Sequence, residues 1–459
     1  MGAGMVLLCA GMAAGPSGLV PERGSEGPFL SGSLGLSRTT VTWLGRTAIG
    51  CAAAGTLAVL WALRRGWKGL PPRVILTFGA AAAALMTVLP VAGSVDILNY
   101  AVYGRITDLG HNPYTMTPQH LYRLGDPVGL LRPEPWAGHP TVYGPAATAV
   151  HALAGHLGGA SMAWIVLWLK LFHAAAFTAT AYMLHRLTGP DRAARTRAAL
   201  LWTLNPVMLF WMIGSGHADA LAITFLVGAV LVVGNRAALG PALLAGSLAG
   251  AAVAVKATFA LPVLGLAIAG LRHPRLLATG ALGGAVTLAT GYLVAGPAAI
   301  ASLTRRLAHD NDLFLPVPGA LLERPALYTP AIAATTGGLA LLIWWRLNRR
   351  SPLVPEAVLD ARPIAAFAVA CVVLSPVQYP WYDAAFLPLL ALVRPSRLDE
   401  LLIVRGALLT AIVLPGIGIA TPQYEAARVV VLLFTLVLVA SCLWRPRTPA
   451  SLDQRWAPT

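Results

Sequence analysis

The sequence predicts an all-α integral membrane protein, and three observations lead there. Of its 459 residues, 57% are hydrophobic and only 11% charged, whereas soluble domains run near 25% charged. Mean hydropathy is +0.69. Apolar stretches of the ~20 residues needed to cross a ~30 Å hydrocarbon core recur almost to the C-terminus. In lipid the backbone must satisfy its own hydrogen bonds, and continuous apolar runs of this length do so as helices. The expectation is one polytopic unit of about 13 transmembrane helices, with no length left over for a sizeable soluble domain.

Residues 3–20 are apolar but carry Pro16 and no basic flank, so they read as a poor signal peptide and a marginal span. Pro21–Arg38 is rich in Gly, Ser and Pro and reads as a linker. Residues 1–40 therefore stand apart from a transmembrane domain over 41–459. Within it, spans are expected at 41–63, 74–92, 161–185, 198–213, 218–234, 239–256, 258–271, 276–296, 326–345, 363–379, 382–393, 401–419 and 427–444. No internal repeat is evident.

Orientation follows from the basic residues. Arg64, Arg65, Lys68 and Arg73 follow the first span, and Arg186, Arg192, Arg195 and Arg197 the third. Arg236, then Arg272 and Arg275, then Arg346, Arg349 and Arg350, then Arg394 and Arg397, and finally Arg445 and Arg447 continue at every second connection. This is the positive-inside pattern, provided that Tyr143–Leu157 lies at the interface and does not cross. The net charge of +15 is thus spread as topology signals, not gathered into a nucleic-acid patch. The four cysteines, Cys9, Cys51, Cys371 and Cys442, lie in apolar stretches without metal or disulfide spacing. No metal or cofactor is expected.

The remaining connections then face the outside together, and they hold most of the unusual polar residues. The longest is an outer loop over residues 93–144, expected to carry interfacial helices; a second covers 297–325. At the start of the first, Asp96, Asn99, Tyr100, Tyr103 and Arg105 follow one another at helical spacings. A carboxylate at a hydrocarbon boundary carries a solvation cost that marks it for function, although Asp96 or Ser94 could simply cap the helix. Tyr143 and Trp136 suit either an interfacial belt or a sugar platform.

Four further groups share that side. Gly214–Asp219 is a glycine-bearing turn opening a span, where His217 and Asp219 could orient a phosphate or a sugar hydroxyl, or Asp219 could only complement the helix dipole. Lys256 lies between two spans, where it could snorkel or meet a phosphate. Arg305 and Arg306, with His309, Asp310 and Asp312, locally break the positive-inside pattern. Gln378–Asp383 is an aromatic turn with Trp381 and Tyr382.

Taken together, Asp96–Tyr100 leading to Tyr103–Gly104–Arg105, then Asn112–Pro113–Tyr114, Tyr143–Gly144–Pro145, Asn205–Pro206, His217 with Asp219, Lys256 and Pro380–Trp381–Tyr382 resemble a family. The resemblance is to the actinobacterial polyprenol-phosphate-mannose-dependent α-1,6-mannosyltransferases, membrane glycosyltransferases of the GT-C fold, and covers roughly residues 74–395. Ala218 stands where that family's turn is expected to carry Asn. The resemblance implies a multi-pass protein of the plasma membrane with an extracytoplasmic site. It implies transfer of mannose, with inversion, from a polyprenyl-phosphate donor to a mannan or glycolipid acceptor. Asp96 would be the catalytic base. Lys256, Arg305, Arg306 and His217 would meet the donor phosphate, and Asn99, Tyr100, Tyr103, Arg105, Tyr143, Asp219, Trp381 and Tyr382 would bind substrate. Arabinofuranose or glucose in place of mannose is one alternative; a lipid or solute transporter, which would place charges midway along spans, is another.

Overall fold

In the computed structural model, residues 1–21, 27–234, 237–309, 325–348, 359–375, 378–414 and 422–443 are described. Every regular element among them is helical. The first helices are α1 Gly2–Ala13, α2 Arg38–Arg64 and α3 Pro72–Val88. The 93–144 segment carries α4 Asp96–Asp108, the short α5 Pro118–Arg123 and α6 Pro127–Leu130, and one 3-10 turn at Glu134–Trp136. Then come α7 Pro145–Gly158, α8 Met162–Leu187, α9 Arg192–Leu201, α10 Pro206–Leu209, α11 Asp219–Val233, α12 Leu239–Val255, α13 Ala260–Ala269, α14 Pro274–Ala295 and α15 Pro297–His309. Helices Pro325–Asn348, Ala361–Val373, Leu387–Leu390, Arg397–Val413 and Pro422–Leu443 complete the order.

Among the described residues, three helices, α2, α8 and α14, are long and apolar enough to cross a membrane. Seven shorter apolar helices of 10–17 residues accompany them. Two expected spans are not continuous helices. The stretch 198–213 is broken: α9 and the Pro206–Gly214 helix meet at 44°, because Pro206 cannot continue α9 and Asn205 caps a new start, its Oδ1 accepting from Val207 N and Met208 N at 3.0 and 3.3 Å. The stretch 382–393 is a 3-10 turn over Pro380–Ala385 followed by the four-residue helix Leu387–Leu390; Pro388 falls within it and the run is too short to span. The helix over 363–379 ends at Val373. Helix α7 is a 14-residue element, short for a crossing.

Small residues let the helices approach closely. A side chain at Gly104 on α4 would run into the backbone of His151 and Gly155 on α7, and one at Gly246 on α12 would meet Gly280 on α14. Without a hydrophobic drive between helices in lipid, such contacts supply the packing.

One buried ion pair ties the second half of the chain to the first, and another braces the second half itself. Arg197 on α9 bonds Asp399 through Nε and Nη2, both at 2.8 Å, and donates to the carbonyls of Leu390, Ala391 and Val393. Arg405 meets Asp383 and Gln378 where all three are essentially inaccessible. Removing one partner of such a pair strands the other and three helix-end carbonyls. Arg197→Met is therefore expected to cost about 3–5 kcal/mol, seen as a lowered melting temperature in detergent; unchanged melting would refute a structural role for this arginine.

Candidate active site

Four interruptions in the helices come together. The first is the start of α4, where Val95 offers no side-chain cap and Ser94 Oγ accepts from Asp96 N at 3.2 Å. Asp96 thereby sits in the first helical turn, which the helix dipole favours for an acid. The second is the turn 215–218 after a π-helical Phe210–Gly214. Ser215 Oγ donates to Ala92 O, and Ala92 N to Gly214 O at 3.4 Å, so this turn is docked on the chain leading to Asp96. Gly216 has φ +71°, and a side chain there would collide with Ile97, so glycine is required on both counts.

The third interruption is Lys256, extended between α12 and the 3-10 turn Ala257–Phe259. Its Nζ donates to both oxygens of Asp219, at 2.8 and 2.9 Å, and stands 4.0 Å from the centroid of Tyr382. The fourth is the Pro380–Ala385 turn. There Trp381 stacks on His217 at 4.0 Å and on Tyr379 at 4.3 Å, both with an 11° interplanar angle. His217 Nδ1 lies 3.6 Å from Asp96 Oδ2. Asp96, His217, Asp219, Lys256, Trp381 and Tyr382 thus form one cluster around a carboxylate that keeps 20% of its surface exposed.

Burial, then the charge of Lys256 and the neighbouring His173, holds the His217 imidazole well below its usual range, so it is neutral, with one donor and one acceptor nitrogen. Tyr100 and Tyr143 share a 2.7 Å hydroxyl contact. Burial pushes both phenols well above their usual range; they act as neutral donors.

The other expected site residues are spent differently. Asn99 is buried beside Asp96 on α4 with neither amide atom bonded to protein. Tyr103 donates to His139 O at 3.0 Å. Arg105 binds Asp126 at 2.9 Å and Asp108 at 2.8 Å, bracing α4 against the loop. Trp381 is 7% exposed, its ring engaged with other aromatics. Arg305 and Arg306 lie on α15, and their side chains fall outside the described residues; His309 does so too, and Asp310 and Asp312 lie outside them altogether. Two residues absent from the sequence-based site belong beside it: His151 on α7, stacked on Tyr100 at 4.6 Å and 9°, and His173 on α8, against Gly216. The signal for His173 was present, since a histidine one turn after Lys170 inside an apolar span is unusual.

The fold and site define a helical membrane protein with a carboxylate-centred polar site where broken helices meet. Residues 2–270 match the family model described as alpha-(1->6)-mannopyranosyltransferase, N-terminal domain, and the chain belongs to that family. It is similar to alpha-(1->6)-mannopyranosyltransferase B of Corynebacterium glutamicum, 29% identical over 152 residues, covering 33% of this chain and 25% of that protein. It is also similar to alpha-(1->6)-mannopyranosyltransferase A of the same organism, 25% identical over 349 residues, covering 66% of this chain and 67% of that one. The chain thus aligns with a quarter of one relative's length and about two thirds of the other's.

Asp219 is 4% exposed at its side chain, and Lys256 supplies its cation. Lys256→Met is expected to destabilise the protein by about 3–5 kcal/mol, with most of that recovered in Lys256→Met/Asp219→Leu. Thermal unfolding of the single and double variants measures this; a double variant no more stable than the single would show that stranded charge is not the cause.

Proposed function

We propose that this protein is an inverting mannosyltransferase of the membrane, moving mannose from polyprenyl-phosphate-mannose to a mannan or glycolipid acceptor as an α-1,6 linkage. Membership of the family supports the transferase class and the sugar. The observation that carries the mechanism is the placement of a partly exposed Asp96 beside neutral His217, with Lys256 anchored two residues further on at Asp219.

In this reading Asp96 accepts the proton of the acceptor hydroxyl as its oxygen bonds the anomeric carbon. The bond from that carbon to the phosphate oxygen breaks, and its electron pair leaves with the phosphate. A β-linked donor then gives an α-linked product. The phosphate departs already ionised and needs no acid; Lys256, His217 and the arginines of α15, Arg305 and Arg306, would stabilise its charge. Tyr143 and Tyr382, both partly exposed, would face the sugars with Asp219, while the buried Asn99, Tyr100, Tyr103 and Trp381, together with Arg105, shape the walls. The connections that meet at the site alternate with those carrying the basic clusters, which supports a bundle of the GT-C type opening on the extracytoplasmic side, with the lipid tail lying between spans.

Asp96→Asn preserves shape and removes basicity, and a positioned general base is worth about 10²–10⁴-fold. Membranes carrying wild type or Asp96→Asn, given radiolabelled polyprenyl-phosphate-mannose and an α-mannoside acceptor, are expected to show transfer by wild type and at least a hundredfold less by the variant. Equal turnover by a well-folded variant would remove Asp96 from the chemistry; no transfer by wild type would remove the donor assignment.

A further inference from the structure

Behind Asp96 the protein buries an unusual number of unpartnered polar atoms. Both amide atoms of Asn99, both ring nitrogens of His151, both of His173, and Nε2 of His217 are inaccessible and bond to no protein group. These four side chains come from α4, α7, α8 and the 215–218 turn. His151 and His173 are fully buried. Among the described residues no three His, Cys, Asp or Glu side chains converge as metal ligands, so the imidazoles do not share an ion through such a set. Buried polar atoms are bonded to one another or to ordered water in nearly all proteins, because leaving them bare costs about 1–3 kcal/mol each. Since none of these atoms bonds another protein group, only water bridging between them would complete them as a network.

The network has a direction. A neutral imidazole has one N–H and one bare nitrogen. With Nδ1 of His217 turned to the Asp96 carboxylate, favourable pairing requires the hydrogen on Nδ1, and the buried Nε2 must then accept. His173 stands against the turn that carries His217: its Nδ1 lies 3.4 Å from where a side chain on Gly216 would begin, and it is among the groups whose charge bears on His217. Asn99, one turn after Asp96 on α4, and His151, stacked on Tyr100, carry further unbonded donors and acceptors. Other titratable or charged groups around this pair are Tyr100 on α4, Tyr143 before α7, Asp219 at the start of α11, Lys256, and Tyr379 and Tyr382 in the aromatic turn.

We infer that His173 is a positioning residue: through one bridging water it donates to Nε2 of His217, fixes the Nδ1–H tautomer, and so aims a hydrogen-bond donor at Asp96, with Asn99 and His151 completing the circuit. This rests on Asp96 being the base of the proposed transfer. It separates His217 from the donor phosphate as its sole duty, because an imidazole locked in this way serves the carboxylate first.

The test uses the full chain in nanodiscs with ¹⁵N-labelled histidine, the His217 signals being assigned by their loss in His217→Gln. The expected wild-type spectrum has a protonated Nδ1 and a bare Nε2. In His173→Leu the tautomers are expected to mix, with kcat for transfer falling about tenfold, the effect of one ordinary hydrogen bond, and KM unchanged. His173→Gln, which can still donate, should restore both the tautomer and most of kcat, and it keeps the test alive should the leucine variant fail to fold. A bare Nδ1 in wild type, or an unchanged tautomer in His173→Leu, overturns the inference. Loss of transfer in every protein, wild type included, would sink the proposed reaction while the spectra still decide the role of His173.

Discussion

The structure depends on one constraint: backbone carbonyls at interrupted helices must find donors where water is scarce. The chain breaks its helices repeatedly and supplies a donor at each break. Lys170 reaches Leu89 O at the end of α3. Gly144 N reaches Val255 O at the end of α12, at 3.2 Å. Gln378 Nε2 serves the carbonyls of Val372, Val373 and Ser375 at 2.9, 2.9 and 2.7 Å. Arg197 serves those around Leu390. A continuous helix needs none of these. Their presence means the breaks are built, and the site lies where they meet.

The same constraint explains the buried charge. Long cationic side chains carry several donors, so one Arg197 or Arg405 can close a helix end and pair with an acid at once. Such pairs contribute little net stability against an apolar alternative. Their use is geometric, holding Asp399 and Asp383 and thereby the last helices in register with α9 and the aromatic turn. Asp383 leaves no room for more than glycine at 406, which fixes how closely the Arg397–Val413 helix approaches.

Much of this was legible in the sequence and some of it could not be. Hydropathy identified nearly every apolar helix, because burial in lipid needs only composition and length. Polar residues at span ends, Asp96, His217, Asp219 and Lys256, stood out for the solvation cost they carry, and the fold places them together. Residues such as Arg105 and Tyr103 were harder to read, since a charged or phenolic side chain near an acid looks alike whether it faces a ligand or braces a loop; only its partners, Asp108, Asp126 and the His139 carbonyl, tell the two apart. Composition ignores proline: the stretch at 198–213 is bent by 44° where Pro206 opens a new helix, and that at 382–393 is a 3-10 turn followed by a four-residue helix with Pro388 in its first turn. In the sequence His151 reads only as a polar break in an interfacial segment and His173 is not singled out, and their meaning appears only when other elements are packed around them.

Charge counting around the site gives the basic pair on α15 a physical reason. Asp219 already neutralises Lys256 through two short bonds, and His217 is neutral, so with Asp96 ionised, as the proposed mechanism requires, the cluster carries a net negative charge. An anionic phosphodiester would be repelled there. In a partly desolvated site that repulsion reaches several kcal/mol at contact distance. For the proposed donor, either its phosphate would draw Lys256 away from Asp219, leaving a buried carboxylate stranded, or cations would have to come from elsewhere in the chain. Arg305 and Arg306, on a helix that breaks the positive-inside pattern, are suited to the second course, for arginine stays charged in any surroundings and binds phosphate through two parallel bonds. If the proposed donor is the substrate, their departure from the topology rule is the counterpart of the acidity of the site: the charge that the membrane rule would exclude from this side is the charge an anionic donor would need.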